Sequence, residues 1–334
     1  MTRVHFRSLL SSAAALLALA LSLHATAGTI VEREFRSAAL SRNWSYTVYL
    51  PTGYESSNLR YPVLYLLHGN GGNRYSWIND GHIQQTADVL IARGDIPPCL
   101  IVMPDAGTSW YVDRKENMET AETKDLNADV LIARGDIPPC LIVMPDAGTS
   151  WYVDRKENME TAVTKDLIAD VEQNWRALST RTGRLVGGLS MGGYGAMRLS
   201  LKYPEMFAAA ALLSPAIYNP EPPETSSARR VGVFGSPDYD PAVWKEYNYP
   251  ALWDAYIAKK MPVPMYINSG DDDDFFIEHE VAQFYFLLRT NKQPAELRIV
   301  DGAHVWTVWE STIGDAMKYI FRYAERPAMN AAPR

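Results

Sequence analysis

The chain has 334 residues, a formal net charge of −7, and 47% hydrophobic against 21% charged residues. That composition excludes a chain dominated by disorder. The lack of a basic excess argues against nucleic acid as a partner, and two Cys exclude a disulfide-dense scaffold or a Cys-rich zinc site.

In chain order, Arg3, His5 and Arg7 precede an apolar run from Leu9 to Leu23, followed by Ala25-Thr26-Ala27. This pattern predicts a secretory signal peptide over residues 1–27. The alternative, a membrane anchor, needs a run of about 20 apolar residues, and this one is shorter. The rest, 28–334, is expected to form a single α/β domain, secreted or periplasmic, with no membrane span once the signal is removed. Two alternating runs between Thr29 and Leu50 predict strands. Pro62–Leu67 is almost wholly apolar, as a buried parallel strand should be. A helix is expected to end near Arg93, and a buried strand to follow at Cys99–Met103.

That strand belongs to a repeated block. Residues 87–127 recur as 128–168, differing only in Glu122 against Val163 and Asn127 against Ile168. Two nearly unchanged copies indicate a tandem duplication rather than a solenoid, which needs about three drifting units. A sheet has one slot for the strand, so one of Cys99–Met103 and Cys140–Met144 is surplus. The second copy runs unbroken toward residue 190, and its Val163 and Ile168 suit a buried helix face. The second copy is therefore expected to supply both strand and packed helix, with the first forming a surface excursion.

Further strands are predicted at Arg184–Gly188, Ala208–Leu213, Pro264–Asn268 and Ala295–Val300. Strands alternating with helices imply a mostly parallel sheet. Residues 215–262, rich in Pro, Tyr and Trp, read as loops and short helices over one sheet edge.

Gly188-Leu189-Ser190-Met191-Gly192 is G-x-S-x-G between an apolar strand and a helix pattern. In that setting it is a nucleophile elbow, a turn sharp enough to require small flanking residues. Read instead as a Gly-rich turn, it would only cap the helix. Ser190 needs a base. Beyond the signal the histidines are His68, His82, His279 and His304. The order Ser, acid, His along the chain leaves the last two. His279 sits at a polar helix start and reads as surface, whereas His304 follows the last strand and is the candidate base. The base needs a carboxylate. Asp271-Asp272-Asp273-Asp274 follows a strand and Ser269-Gly270. Four adjacent carboxylates repel, so one is expected to serve and the others to be solvated; no EF-hand spacing supports calcium. His68-Gly69-Asn70-Gly71-Gly72 resembles the loop that supplies one amide of an oxyanion hole, with Met191 N–H as the other. The His68 side chain itself reads as structural.

These segments, with YTVYLPTGY, YPVLYLLHGNGGN, LIVMPDAGTSWYVD, INSGDDDDFF and GAHVWTVW, resemble the Putative esterase family of α/β-hydrolases. That family includes S-formylglutathione hydrolases, enterochelin, feruloyl and acetyl-xylan esterases, and mycolyltransferases. The resemblance covers nearly all of the chain after the signal and implies an α/β-hydrolase fold. It places the acid three residues after the turn glycine, at Asp273, with Asp272 or Asp274 as alternatives. It implies an oxyanion hole from the Asn70 and Met191 amides. It also puts the loop carrying Trp151 and Tyr152, or the twins Trp110 and Tyr111, near the substrate, although packing explains such aromatics equally well. The implied activity is a serine carboxylesterase acting on a small-molecule or carbohydrate-linked ester, without cofactor or metal. Acyl transfer to a sugar or alcohol would use the same residues, and an inactive binding protein on the same fold is the non-enzymatic alternative.

Overall fold

The computed structural model describes residues 27–105, 158–235 and 239–329; the expected signal segment lies outside them, save Ala27. Eight strands form one sheet: β1 (Thr29–Ser37), β2 (Arg42–Leu50), β3 (Val63–Leu67), β4 (Leu100–Pro104), β5 (Arg184–Leu189), β6 (Ala210–Leu213), β7 (Met265–Gly270) and β8 (Ala295–Val300). Their spatial order is β1-β2-β4-β3-β5-β6-β7-β8. β1 and β2 pair antiparallel, as do β2 and β4, and every later pairing is parallel. Central strands such as VLYLL and LIVMP are buried throughout, because a parallel sheet is covered on both faces. The edge strands β1 and β8 alternate or expose charged residues instead, which blunts their unpaired backbone.

The pleat splits the core in two. Val63, Tyr65 and Leu67 of β3 point into one cluster with Trp44, Val186 and Met197. Leu64 and Leu66 point into the other, with Ile101, Leu185 and Ile313. Helices cover both faces: α1 (Ser76–Asn79), α2 (Ile83–Arg93), α3 (Met159–Thr161), α4 (Ile168–Asn174), α5 (Met191–Lys202), α6 (Pro241–Tyr247), α7 (Tyr249–Lys259), α8 (Ile277–Thr290) and α9 (Trp306–Ile320). A π-helical turn, Ala162–Leu167, joins α3 to α4 in one continuous helical run.

The repeat divides its labour, and one expectation is corrected. The slot between β2 and β3 is filled by Leu100–Pro104 of the first copy, with hydrogen-bonded neighbours on both sides. The reason is continuity. α2 starts at Ile83, before the duplicated block, and runs unbroken through Ala87 and Leu90, both buried. Using the second copy's strand would instead place 41 further residues between α2 and the sheet. Asp88 anchors it, accepting from Gly28 N (2.9 Å) and the Tyr49 hydroxyl (2.7 Å). The packed helix does begin in the second copy, with Val163, Leu167 and Ile168 in the core, and runs on into unduplicated sequence at the buried Val171. Asp166 accepts from Ser37 Oγ and Ala39 N. Asp170 takes Arg33 through two hydrogen bonds (2.6 and 2.9 Å) and the Tyr46 hydroxyl (2.8 Å). The first copy's helix and the second copy's strand, Cys140–Met144, lie outside the described residues.

The segment after Pro215 is also corrected. It lies over α5 on a sheet face, not over an edge. Trp244 stacks on Tyr194 at 5.7 Å, and Tyr194 Oη and Arg198 Nη1 both donate to the Tyr247 carbonyl (2.8 and 2.7 Å). α5 is buried from Met191 to Leu201. A helix buried all round needs a second cover besides the sheet, and α6 and α7 supply it.

Candidate active site

Ser190 occupies the turn between β5 and α5 with φ 52° and ψ −117°. A positive φ is costly for a residue with a Cβ, so the surroundings must impose it. Ser190 N donates to Leu213 O of β6 (2.9 Å), and Ser190 O accepts from Tyr194 N (2.9 Å) and Ala216 N (3.0 Å). The glycines make the turn possible. A Cβ on Gly188 would lie 2.5 Å from the Gly192 backbone, and one on Gly192 would lie 2.5 Å from Leu67 O. Chain and helix approach too closely for any side chain there.

The candidate base and acid arrive on adjacent turns, after β8 and β7. A Cβ on Gly270 would fall 2.0 Å from Gly302 O, so the two turns pack backbone to backbone. Asp271 Oδ1 accepts from Gly302 N (3.0 Å), and Asp272 N donates to Gly302 O (3.0 Å). This clasp brings Asp273 and His304 together. Asp273 Oδ2 lies 2.7 Å from His304 Nδ1, and His304 Nε2 lies 2.9 Å from Ser190 Oγ. A carboxylate only accepts, so Nδ1 carries the proton and donates to it. The lone pair at Nε2 is then left to accept from the Ser190 hydroxyl. The Asp273 side chain is fully buried, and its Oδ1 accepts from Phe275 N (3.0 Å). Asp271, Asp272 and Asp274 are exposed, as mutual repulsion requires.

Two aromatic rings hold the imidazole edge-on: Phe275 at 4.9 Å and Trp309 at 5.0 Å. Trp309 is fixed by its own Nε1–H donated to Ser214 Oγ (3.0 Å). The sequence reading assigned neither ring a role. The signal for Trp309 was its place one helical turn into the segment after His304; Phe275 had only its adjacency to the acidic run.

Ser190 and His304 open onto a cleft of about 560 Å³, which Asn70 and Trp306 also line. A Cβ on Gly69 would sit 3.6 Å from Ser190 Cβ, which puts the His68–Gly72 loop beside Ser190. Met191 opens α5, where helix amides lack partners within the helix. Asn70 and Met191 thus both flank Ser190 in chain or space. His68 is buried, and its Nδ1 lies 2.7 Å from Gly69 O. Burial pushes its pKa down, which keeps it neutral and structural. His279 is exposed beside Gln283, and the half-exposed His82 faces Glu310 (2.9 Å). Trp151, Tyr152, Trp110 and Tyr111 lie outside the described residues. Exposed carboxylates of Asp271, Asp272 and Asp301 come within 4.8 Å of one another, but Asp271 already serves Gly302.

The family model described as "Putative esterase" matches residues 37–131 and 125–320. The two pieces meet where the copies join. Among curated proteins, the chain is 30% identical over 198 residues to an endo-1,4-beta-xylanase/feruloyl esterase of Xylanibacter ruminicola, covering 58% of this chain and 22% of that protein. An acetyl esterase of Caldicellulosiruptor saccharolyticus is 23% identical over 89% of this chain and 99% of its own. The chain spans only 22–30% of the first curated relatives it matches. Among solved structures, a ferulic acid esterase has a TM-score of 0.69 at 24% identity, covering 89% of this chain and 99% of its own. An S-formylglutathione hydrolase from Agrobacterium tumefaciens has a TM-score of 0.66 at 21% identity, covering 90% and 97%. The shared fold is the α/β-hydrolase sheet with helices on both faces.

Proposed function

We propose that this chain, which belongs to the Putative esterase family, is an exported serine carboxylesterase with Ser190, His304 and Asp273 as its catalytic triad. The observation carrying this reading is the continuous relay of 2.9 and 2.7 Å hydrogen bonds from a strained serine to a buried carboxylate. His304 takes the Ser190 proton as Oγ attacks the ester carbonyl, and Asp273 stabilises the resulting imidazolium. The Asn70 and Met191 amides receive the oxyanion. His304 then protonates the departing alcohol, and water, activated by the same imidazole, releases the acid from Ser190. Export rests on the Arg3–Ala27 pattern. Among the described residues no helix is long and apolar enough to cross a membrane.

The names of the relatives favour feruloyl and acetyl esters as first substrates. The test is hydrolysis of p-nitrophenyl acetate and methyl ferulate by the purified protein, with Ser190→Ala alongside. Turnover that survives in Ser190→Ala would remove the triad assignment.

A further inference from the structure

The loop that closes one side of the cleft carries two consecutive arginines with different surroundings. Arg229 turns away from Ser190 chemistry and collects the loop's acids: Nη2 lies 3.3 Å from Glu221 and 3.4 Å from Glu224, and its Nε donates to Pro222 O (2.8 Å). Its guanidinium also covers the Tyr239 ring at 4.5 Å. Arg230 lines the cleft with Ser190 and His304 and has no described carboxylate within ion-pair distance. Its guanidinium is aimed by backbone alone, with Nη2 on Thr225 O (2.7 Å) and Nη1 on Glu224 O (3.4 Å). The cleft's own carboxylate, Asp80, belongs to the Trp306 side: a Cβ on the adjacent Gly81 would lie 3.1 Å from that indole.

A chain of net charge −7 repels anions on average, so a cation held at the reaction cleft is a local exception. Two carbonyls steer this exposed side chain, and five N–H donors leave several for a ligand. Building on the esterase reading, we propose that Arg230 is a specificity residue and that the natural substrate is an ester bearing a second, ionised carboxylate.

The experiment compares kcat/KM for charged and uncharged esters in wild type, Arg230→Gln and Arg230→Glu. One pair puts the charge on the acyl side, mono-p-nitrophenyl succinate against p-nitrophenyl butyrate. The other puts it on the alcohol side, p-acetoxybenzoate against p-acetoxybenzamide. Ratios within one preparation cancel any difference in folded fraction. Loss of a charge-assisted contact at this exposed side chain should lower the charged-to-uncharged ratio roughly threefold to tenfold in one pair for Arg230→Gln. Arg230→Glu should lower it further, and added salt should lower the wild-type ratio but not that of Arg230→Gln. The affected pair identifies the side on which the carboxylate lies. Ratios within twofold of wild type in both pairs would overturn the inference while leaving the esterase reading intact. A wild type that turns over none of the four esters would overturn both.

Discussion

Strands β5 to β8 and the turns after them carry Ser190, Asp273 and His304, whereas β4 and the helical run from α3 up to Ile168 derive from a duplicated block and carry none of the three. The first half is specified by close approach. Backbone meets backbone at Gly188–Gly192 and at Gly270–Gly302, so its geometry tolerates no extra residue. The second half is specified by continuity and burial. It takes its strand from one copy and its helix from the other, and each comes from the copy that is covalently continuous with unduplicated sequence. An insertion can be accommodated where a fold is held by separate packed elements, and not where two turns clasp one another.

The largest effects belong to the clasped half. Ser190→Ala and His304→Ala should each lower ester hydrolysis by about 10⁴-fold or more, with circular dichroism unchanged. Neither side chain holds the sheet: Ser190 is fixed through its backbone, and His304 sits at the cleft. Unfolding of either variant would mean that the relay is a structural device.

Next is the acidic run. Asp273→Asn should cost on the order of 10³–10⁴-fold in kcat, because an amide cannot hold the imidazolium or enforce its tautomer. Asp271→Asn should cost tenfold or less. It touches the site only through Gly302 N–H, and its effect reads how much the clasp positions His304. Comparable losses in the two variants would move the acid's role from one carboxylate to the whole turn.

In the packed half the measurable quantity is stability. Glu160, in α3, has a fully buried side chain bound to Arg198 (2.7 Å), Lys202 and the Tyr203 hydroxyl, which tie the second copy's helix to α5. Burial alone would raise its carboxyl, but these partners outweigh it and hold the group below the usual carboxylate range. A lowered pKa stabilises the fold at pH above the ordinary carboxylate value, and that contribution fades as pH falls through the lowered value. Glu160→Gln leaves Arg198 buried without its counter-charge. It should cost about 3 kcal/mol, or roughly 5–8 °C in Tm, and flatten the acid side of the stability profile. A Tm within a degree of wild type would show that α3 is not the tie between the halves.

The sequence reading went furthest where a pattern is local. Apolar or alternating runs located every strand but the choice of copy for β4, and G-x-S-x-G located the strained turn, because both signals span a few residues. His304 emerged from elimination among four histidines and chain order. Asp273 did not emerge that way, since four identical neighbours carry no distinguishing signal; resemblance chose it, and only the turn geometry shows it as the buried one. The strand of the repeat was equally undecidable from composition, because residues 87–105 and 128–146 are identical. What separates them is Ile83–Thr86, the start of α2, to which only the first copy is joined. The apolar exchanges at Val163 and Ile168 did mark the packed helix, since burial acts on single side chains. The cover over α5 and the rings around His304 were missed because they depend on segments distant in sequence.

The smallest expected effect comes from deleting the surplus. Ala87-Asp88-Val89 at the start of the first copy recurs as Ala128-Asp129-Val130 and again as Ala169-Asp170-Val171, so the block begins and ends at the same tripeptide. Because the copies are identical through 105 and 146, removing 87–127 or 106–146 gives one and the same polypeptide. That product keeps the sequence of α2, β4, α3 and α4, with Asp88 still opposite Tyr49 and Asp170 still opposite Tyr46. Only the connection between Asp105 and Asn158 changes, shortening by 41 residues from 52 to 11. Closing the longer chain between these two fixed points costs about 1.4 kcal/mol more than closing the shorter one. The deletion variant should therefore fold, retain Ser190-dependent hydrolysis and gain up to about 1.4 kcal/mol in denaturant unfolding. A smaller gain measures contacts made by the surplus residues. A variant that fails to fold would show that both copies are built into the core, and the contrast between a clasped half and a tolerant half would fall with it.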